Sequence, residues 1–204
     1  SKHLSKRFNC IDCVSMDNYF IVNDYQMYDS REEFLRNHNF DTLESFNIDL
    51  FVNDLKKLKN GTPINTPIYD YANSIYTGVK HVFPGKFCFV DGILLLAHPK
   101  IRSCFDMIIY IDCHKDIRYS RRLTRDLRER GANQEIIEHQ LKNFVMPMHD
   151  IFIEPNKIFS NLIYDNSESK NEYKFEKDMN ELYNVVKRKI HEKNLLEGKI
   201  DDMC

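Results

Sequence analysis

Between Arg118 and Gly131 the sequence reads RYSRRLTRDLRERG, with Arg118, Arg121, Arg122, Arg125 and either Arg128 or Glu129 recurring at steps of three and four residues. Those steps place side chains along one face of a helix, so the segment carries a ridge of guanidinium groups. Guanidinium is planar, permanently charged and forked, and it holds phosphate oxygens through paired hydrogen bonds. The same pattern also suits a solvated helix laced with Asp126 and Glu129, and the segment alone does not choose between the two. Its surroundings shift the balance. Three apolar runs, Ile11 to Asp17 (IDCVSMD), Phe87 to Asp91 (FCFVD) and Met107 to Asp112 (MIIYID), each finish on an aspartate. Short runs rich in β-branched and aromatic residues, followed by helical patterns, read as strands of a parallel sheet covered on both faces. In such sheets ligands bind beyond the carboxyl ends of the strands. A single aspartate there commonly caps the next helix. Three of them, with an arginine helix directly after the third, point to a site for magnesium and phosphate.

The elements that must position these groups can be read along the chain. Residues 1 to 8 (SKHLSKRF) carry Leu4 and Phe8 on one side and basic residues on the other, as in the last turns of an amphipathic helix. The chain thus starts inside an element, and a segment upstream is expected. Asn18 to His38 reads as a polar, aromatic-rich loop or short helical stretch. Asn47 to Asn60 has Leu50, Phe51, Leu55 and Leu58 at helical spacing and is closed by Gly61. Thr62 to Pro84 bears proline and tyrosine without periodicity and reads as a small excursion with short strands over the sheet edge. From Lys86 the pattern becomes strand (86 to 91), short helix, strand (107 to 112), arginine helix (115 to 130), a second helix (134 to 150) and strand (158 to 164). Phe175, Met179, Leu182, Val186 and Ile190 mark a closing helix. This alternation implies right-handed crossovers and a layered α/β fold, a mostly parallel sheet with helices on both faces. With 204 residues and neither an internal repeat nor a composition break, a single domain is expected.

Composition narrows the partners. The formal net charge is −2, which argues against nucleic-acid binding by bulk charge, because that mode needs a basic excess over the whole domain. The arginine ridge is therefore a local device. The six cysteines lack the spacing of a zinc site: Cys10 and Cys13 lie in a strand-like run where positions three apart face opposite ways, and no second pair with ligand spacing exists. Reduced core cysteines and a cytoplasmic setting are expected. No apolar run approaches the ~20 residues of a membrane span, so no membrane partner is expected.

The residues resemble the uridine kinase family, within the wider group of P-loop kinases that includes phosphoribulokinase. The likeness runs in collinear order through SMDNYF (15–20), NFD (39–41), PIYDY (67–71), VDGIL (90–94), RRLTRDLRERG (121–131), VMPMHDIFIEPNK (145–157) and SNLIY (160–164). It implies a P-loop-kinase-like layered fold with a helical arginine-rich lid at about 118–140, in a single nucleoside-kinase-like domain incomplete at its N-terminus. It also implies transfer of the γ-phosphoryl group of ATP, with Mg2+, to the 5′-hydroxyl of uridine or cytidine. The partners are then nucleoside and nucleotide small molecules, and a homo-oligomer is left open.

By the same resemblance, Asp17 matches the acid that orients the attacking hydroxyl, is placed to accept its proton and lies near the metal. Asp91 matches the acid of the Walker B-like strand that helps hold magnesium. Arg122, Arg125 and Arg130 fall on the lid arginines that reach the transferring phosphates and the substrate. Asp41 matches the carboxylate that accepts hydrogen bonds from ribose hydroxyls, Tyr69 and Phe40 match aromatic neighbours of the base, and Gln140 matches a polar residue of the nucleoside pocket. By residue type alone, Tyr69 and Phe40 also suit a core, Asp41 a helix cap before TLESF, and Gln140 a solvated helix position.

Three departures stand out. Ser74 occupies the place where related uridine and cytidine kinases carry a base-contacting histidine, and Ala132 follows ERG where they continue with arginine. No G-x-x-x-x-G-K-[ST] motif occurs: Gly85-Lys86 and Gly198-Lys199 are the only Gly-Lys pairs, and neither precedes Ser or Thr. That motif normally supplies the phosphate cradle, so a truncated sequence is expected. The alternatives are a kinase for another nucleoside or a sugar-phosphate hydroxyl, and a pseudokinase that binds nucleoside or phosphate without catalysis. A nucleic-acid binder reading the arginine helix is a distant third.

Overall fold

In the computed structural model, the described residues are 2–10, 13–22, 28–71, 73–129, 133–168 and 171–196. Helix α1 (Lys2–Arg7) leads to strand β1 (Cys13–Ser15), which runs straight into a 3-10 turn at Met16–Tyr19. Asp17 therefore sits on that turn just past the strand, and residues 11 and 12 lie outside the described residues. Helix α2 (Arg31–Asn37) starts at Ser30, whose side chain accepts from the Glu33 amide. Helix α3 (Ile48–Lys59) starts at Asn47, whose side chain accepts from the Leu50 amide. It buries Phe51, Val52, Leu55 and Leu58, places Lys56, Lys57 and Lys59 in its last turn, where the helix dipole favours cations, and is followed by Gly61 at φ 78°.

The expected excursion at 62–84 is a well-formed antiparallel hairpin of β2 (Ile64–Asp70) and β3 (Ile75–Val82), the two longest strands described. It is also more than a cover: Ile64, Tyr69 and Val82 are buried in the main core. The ladder shifts register between Ile68 and Tyr69, and Tyr69 faces inward while Ile68 is exposed. Strand β4 (Phe89–Asp91), helix α4 (Pro99–Arg102), strand β5 (Ile109–Asp112) and helix α5 (Lys115–Glu129) follow. Helix α6 (Gln134–Gln140), capped by Asn133, continues through a π turn (Leu141–Val145), the short α7 (Met146–Met148) and a second π turn (His149–Ile153). Pro147 lies in α7 and has no N–H to donate, so the helical path widens around it. The last strand begins later than the expected 158, because Pro155–Phe159 forms a 3-10 turn and β6 spans Leu162–Asp165. Helix α8 (Glu172–Leu196) closes the chain.

Strands β1 and β4 pair in parallel, as do β5 and β6. Among the described residues these two pairs are separate ladders, and the hairpin is a third. Two cores hold them. The larger joins Val14, Met16 and Tyr19 to the α3 face, the hairpin, Leu94 and Ile101. The smaller joins Leu4 of α1 to Met179, Leu182 and Val186 of α8, with Phe89 of β4, Ile109 of β5 and Leu162 of β6 packed against it. Both parallel pairs thus rest on one helical layer. Arg7 ties that layer together through Glu176 at 2.7 Å and Asn180 at 3.0 Å. No helix among the described residues is long and apolar enough to cross a membrane.

Phe51 is fully buried and meets the Tyr19 ring edge-on at 4.8 Å. Phe51→Ala is expected to cost about 3–5 kcal/mol of stability, read from the urea midpoint at unchanged slope.

Candidate active site

The first part of the site lies at the carboxyl ends of β1 and β4. Ser15 stands opposite Asp91 in the ladder. The Cys13 thiol donates to one Asp91 oxygen at 3.2 Å and the Ser15 hydroxyl donates to the other at 3.4 Å. Two neutral donors thus orient a half-buried carboxylate without cancelling its charge. Asp17 follows on the 3-10 turn, whose frame is held by its neighbours. Tyr19 is fully buried and donates to Asp54 at 3.0 Å, and burial together with that carboxylate pushes the Tyr19 phenol far up, so it stays a neutral donor. Gly92 packs so close beneath the turn that a Cβ there would lie 2.6 Å from the Met16 Cβ. The turn that carries Asp17 is therefore fixed from both sides.

Hard carboxylate oxygens are the right donors for magnesium, which is usually held by one or two carboxylates plus water and substrate phosphate. Asp17 and Asp91 are the strand-end carboxylates of β1 and β4 that could contribute to such a set. No cluster of three His, Cys, Asp or Glu residues suited to a metal is found among the described residues. The third strand-end aspartate has another role. Asp112 accepts from Lys157 at 2.5 Å and from the Cys113 amide at 2.8 Å. The Lys157 hydrogen bond holds the Asp112 carboxyl below its ordinary value. Lys157 also reaches Glu154 at 3.3 Å, and Glu154 accepts from Tyr110 at 3.2 Å. These groups form a structural knot at the end of β5.

The arginine ridge faces a hollow. Arg118, Arg121, Arg122 and Arg125, with Ile111 and Cys113, line an open cavity of about 340 Å³. Arg121 is anchored at its rim, donating to the carbonyls of Asn166 at 2.6 Å and Glu168 at 3.1 Å. Asp17 and Asp91 are not among the residues lining this hollow. Asp126 is not a solvated companion of the arginines: it is only 5% exposed. Its Oδ1 accepts from Arg125 Nε at 2.8 Å and lies 2.7 Å from Arg125 Nη2, while its Oδ2 accepts from Arg122 Nε at 3.4 Å. Arg122 Nη1 in turn lies 3.5 Å from Asp41 Oδ2, and Asp41 is also 5% exposed. The arginine helix is thereby joined to Asp41. Arg130 lies outside the described residues.

Asp41 borders an aromatic nest. Phe40 meets His38 at 4.4 Å, Phe34 at 5.6 Å and Phe20 at 6.2 Å, all edge-on. Phe20 also stacks on Phe46 at 4.1 Å and lies 5.4 Å from Tyr69. Burial pushes the His38 imidazole below its ordinary value, which keeps it neutral. Tyr69 is buried with its hydroxyl beside Ser74, and burial raises its phenol. Ser74, also buried, holds a left-handed φ of 56° in the hairpin turn. Gln140 is half-buried and donates to the Leu35 carbonyl at 2.6 Å, so it joins α6 to α2. Arg36 and Glu135 add an exposed ion pair at 2.9 Å across the same boundary.

Sequence reasoning passed over Phe20 and the Tyr19–Asp54 bond, and took Asp126 as part of a solvated helix face. Phe20 lay within SMDNYF, the segment already singled out for Asp17. Asp126 was masked by lying in a strongly charged helix, where burial has no sequence signature. The Tyr19–Asp54 bond joins residues 35 positions apart and could only be seen in three dimensions.

Parallel ladders, helices on either side and an arginine helix over the strand ends together make the layered α/β fold of P-loop kinases. Phosphoribulokinase from Rhodobacter spheroides shares it with a TM-score of 0.58 at 14% identity, over 80% of this chain and 63% of that one. The sequence model of the phosphoribulokinase / uridine kinase family matches residues 3–172, and the chain belongs to that family. The uridine kinase of Clostridium perfringens is 36% identical over 167 residues, 80% of this chain and 78% of its own length. The uridine kinase of Staphylococcus aureus is 36% identical over 151 residues, covering 74% and 71% respectively.

Two measurements test the frame of the site. Gly92→Ala should lower stability by about 1–3 kcal/mol in chemical denaturation, because the Met16 turn must move; a variant as stable as the parent would show that the turn is not held there. Asp112, with its lowered value, contributes stability that is complete above its unfolded value and fades as pH falls through its folded value. Lys157→Met should therefore be less stable at neutral pH yet lose less stability between about pH 5 and pH 2 than the parent.

Proposed function

We propose that the protein is a magnesium-dependent nucleoside kinase that transfers the γ-phosphoryl group of ATP to the 5′-hydroxyl of a pyrimidine nucleoside, uridine or cytidine. The observation that carries this reading is the ion pair between Arg122 of the arginine helix and Asp41 beside the aromatic nest. A carboxylate suited to ribose hydroxyls and guanidiniums suited to phosphate stand in direct contact, as a sugar hydroxyl and an incoming phosphoryl group must.

In this reading the flat faces of Phe40 and Tyr69 hold the base. Asp41 accepts from the ribose hydroxyls and so fixes the direction of the 5′-hydroxyl. Gln140 holds α6 on α2, which sets the wall of the nucleoside pocket. Asp17 orients the attacking hydroxyl and takes its proton; an ordinary carboxylate is a weak base, so alignment matters more than basicity. Arg122, Arg125 and, from the family likeness, Arg130 neutralise charge that spreads over the phosphate oxygens in a loose transition state. Asp17 and Asp91 would hold magnesium, which supplies further charge neutralisation when bound. The reducing, cytoplasmic setting expected from the sequence would keep the cysteines as thiols.

Ser74 favours a second reading within the same chemistry. In the hairpin turn Ser74 places a smaller group than histidine beside Tyr69, and a nucleoside other than uridine or cytidine would then be the better acceptor. Both readings are tested by offering the natural full-length protein ATP, magnesium and a panel of nucleosides and sugar phosphates, with chromatography of the products. Uridine or cytidine monophosphate is expected, and Asp17→Asn should lower kcat by about 10²–10⁴-fold at unchanged melting temperature. Absence of any phosphorylated nucleoside, or full turnover by the Asp17 variant, would overturn the assignment.

A further inference from the structure

Asp126 is a carboxylate on an arginine-rich helix, yet it is 5% exposed. Removing a carboxylate from water is costly unless charged partners surround it, and here each oxygen takes a different arginine. Arg122, four residues earlier, reaches Oδ2 by ordinary helical geometry. Arg125 is the immediate neighbour, and adjacent residues on a helix point about 100° apart and do not face each other. Its guanidinium nevertheless brings both Nε and Nη2 to Oδ1, at 2.8 and 2.7 Å. The Arg125 side chain is thus drawn round the helix toward Asp126 while it still lines the hollow and remains 44% exposed. Arg122, far less exposed, spends its remaining arm on Asp41. The result is a continuous relay, Arg125 to Asp126 to Arg122 to Asp41, running from the hollow to the carboxylate beside the aromatic nest.

We propose that Asp126 is a positioning residue: it aims Arg125 into the phosphate hollow and holds Arg122 against Asp41, so that one buried carboxylate sets the geometry of both substrate-facing arginines. It touches no substrate itself. This deepens the kinase reading and rests on it. A carboxylate serving only to pin α5 to the body would change stability and leave the kinetic constants of the folded fraction intact. A positioning residue would move them.

The test compares parent, Asp126→Asn, Asp126→Glu, Arg125→Gln and the Asp126→Asn/Arg125→Gln double variant as full-length proteins. Each is checked for folding by circular dichroism, then measured for kcat, nucleoside KM and calorimetric affinity for inorganic pyrophosphate. Asp126→Asn is expected to lower kcat at least about tenfold and to raise nucleoside KM. It should weaken pyrophosphate binding severalfold, and most of that loss should disappear when Arg125 is already Gln, because the two substitutions then break the same device. Asp126→Glu keeps the charge, lengthens the side chain by one methylene and should fall between parent and Asn. If Asp126→Asn does not fold, the Glu variant carries the test alone: parental kcat and pyrophosphate affinity in it would overturn the proposal. Equal pyrophosphate affinity in parent and a folded Asn variant, or fully additive losses in the double variant, would do the same. A parent inert toward every nucleoside would refute the kinase reading, while the pyrophosphate measurements would still decide the role of Asp126.

Discussion

Arg122 is shared between two carboxylates that are both almost out of water, Asp41 and Asp126, and the candidate site depends on that sharing. Either acid alone at that depth would be an expensive buried charge; a guanidinium between them offsets both and fixes their directions. Because Asp41 belongs to the segment between α2 and α3 while Asp126 belongs to α5, the interaction also sets where the arginine helix lies over the rest of the chain. The hollow under Arg118, Arg121 and Arg125 and the aromatic nest around Phe40 acquire a common frame through this one side chain.

The supporting architecture is a set of parallel pairs on a shared helical layer, with most of the rigidity located next to the candidate chemistry. The 3-10 turn of Asp17 is held by the Tyr19–Asp54 bond on one side and by the close approach of Gly92 on the other. Asp91 has its two oxygens oriented by Cys13 and Ser15, residues of the neighbouring strand that the parallel register brings alongside. Asp112, in the corresponding position on β5, is tied to Lys157 and serves the fold. Equivalent places at strand ends thus carry different duties, and the partner within reach decides which.

The aromatic nest beside Asp41 carries polar atoms at its edges. Tyr76 donates to the Phe20 carbonyl at 2.6 Å, and the Tyr69 hydroxyl is buried beside Ser74 in the same nest. His38, kept neutral by burial and stacked on Phe34, adds to a wall that is apolar in character with polar edges.

The helices were legible in the residues because their signals are local. The spacing of Leu50, Phe51, Leu55 and Leu58, the cap at Asn47 and the stop at Gly61 all act within a few positions. The strand-end aspartates and the arginine ridge were legible for the same reason, since residue type and spacing along one element suffice to reveal them. The collinear motifs likewise identified the family. The sequence by itself therefore determined the element order, the α/β class and which residue types could do chemistry. Only the tertiary structure decided which carboxylates face which cations. Asp126 being buried rather than solvated, Asp112 being claimed by Lys157, and the hairpin joining the core instead of skirting it all depend on contacts between residues distant in the chain. Burial and ion pairing are set by those contacts, and no periodicity along a single element encodes them.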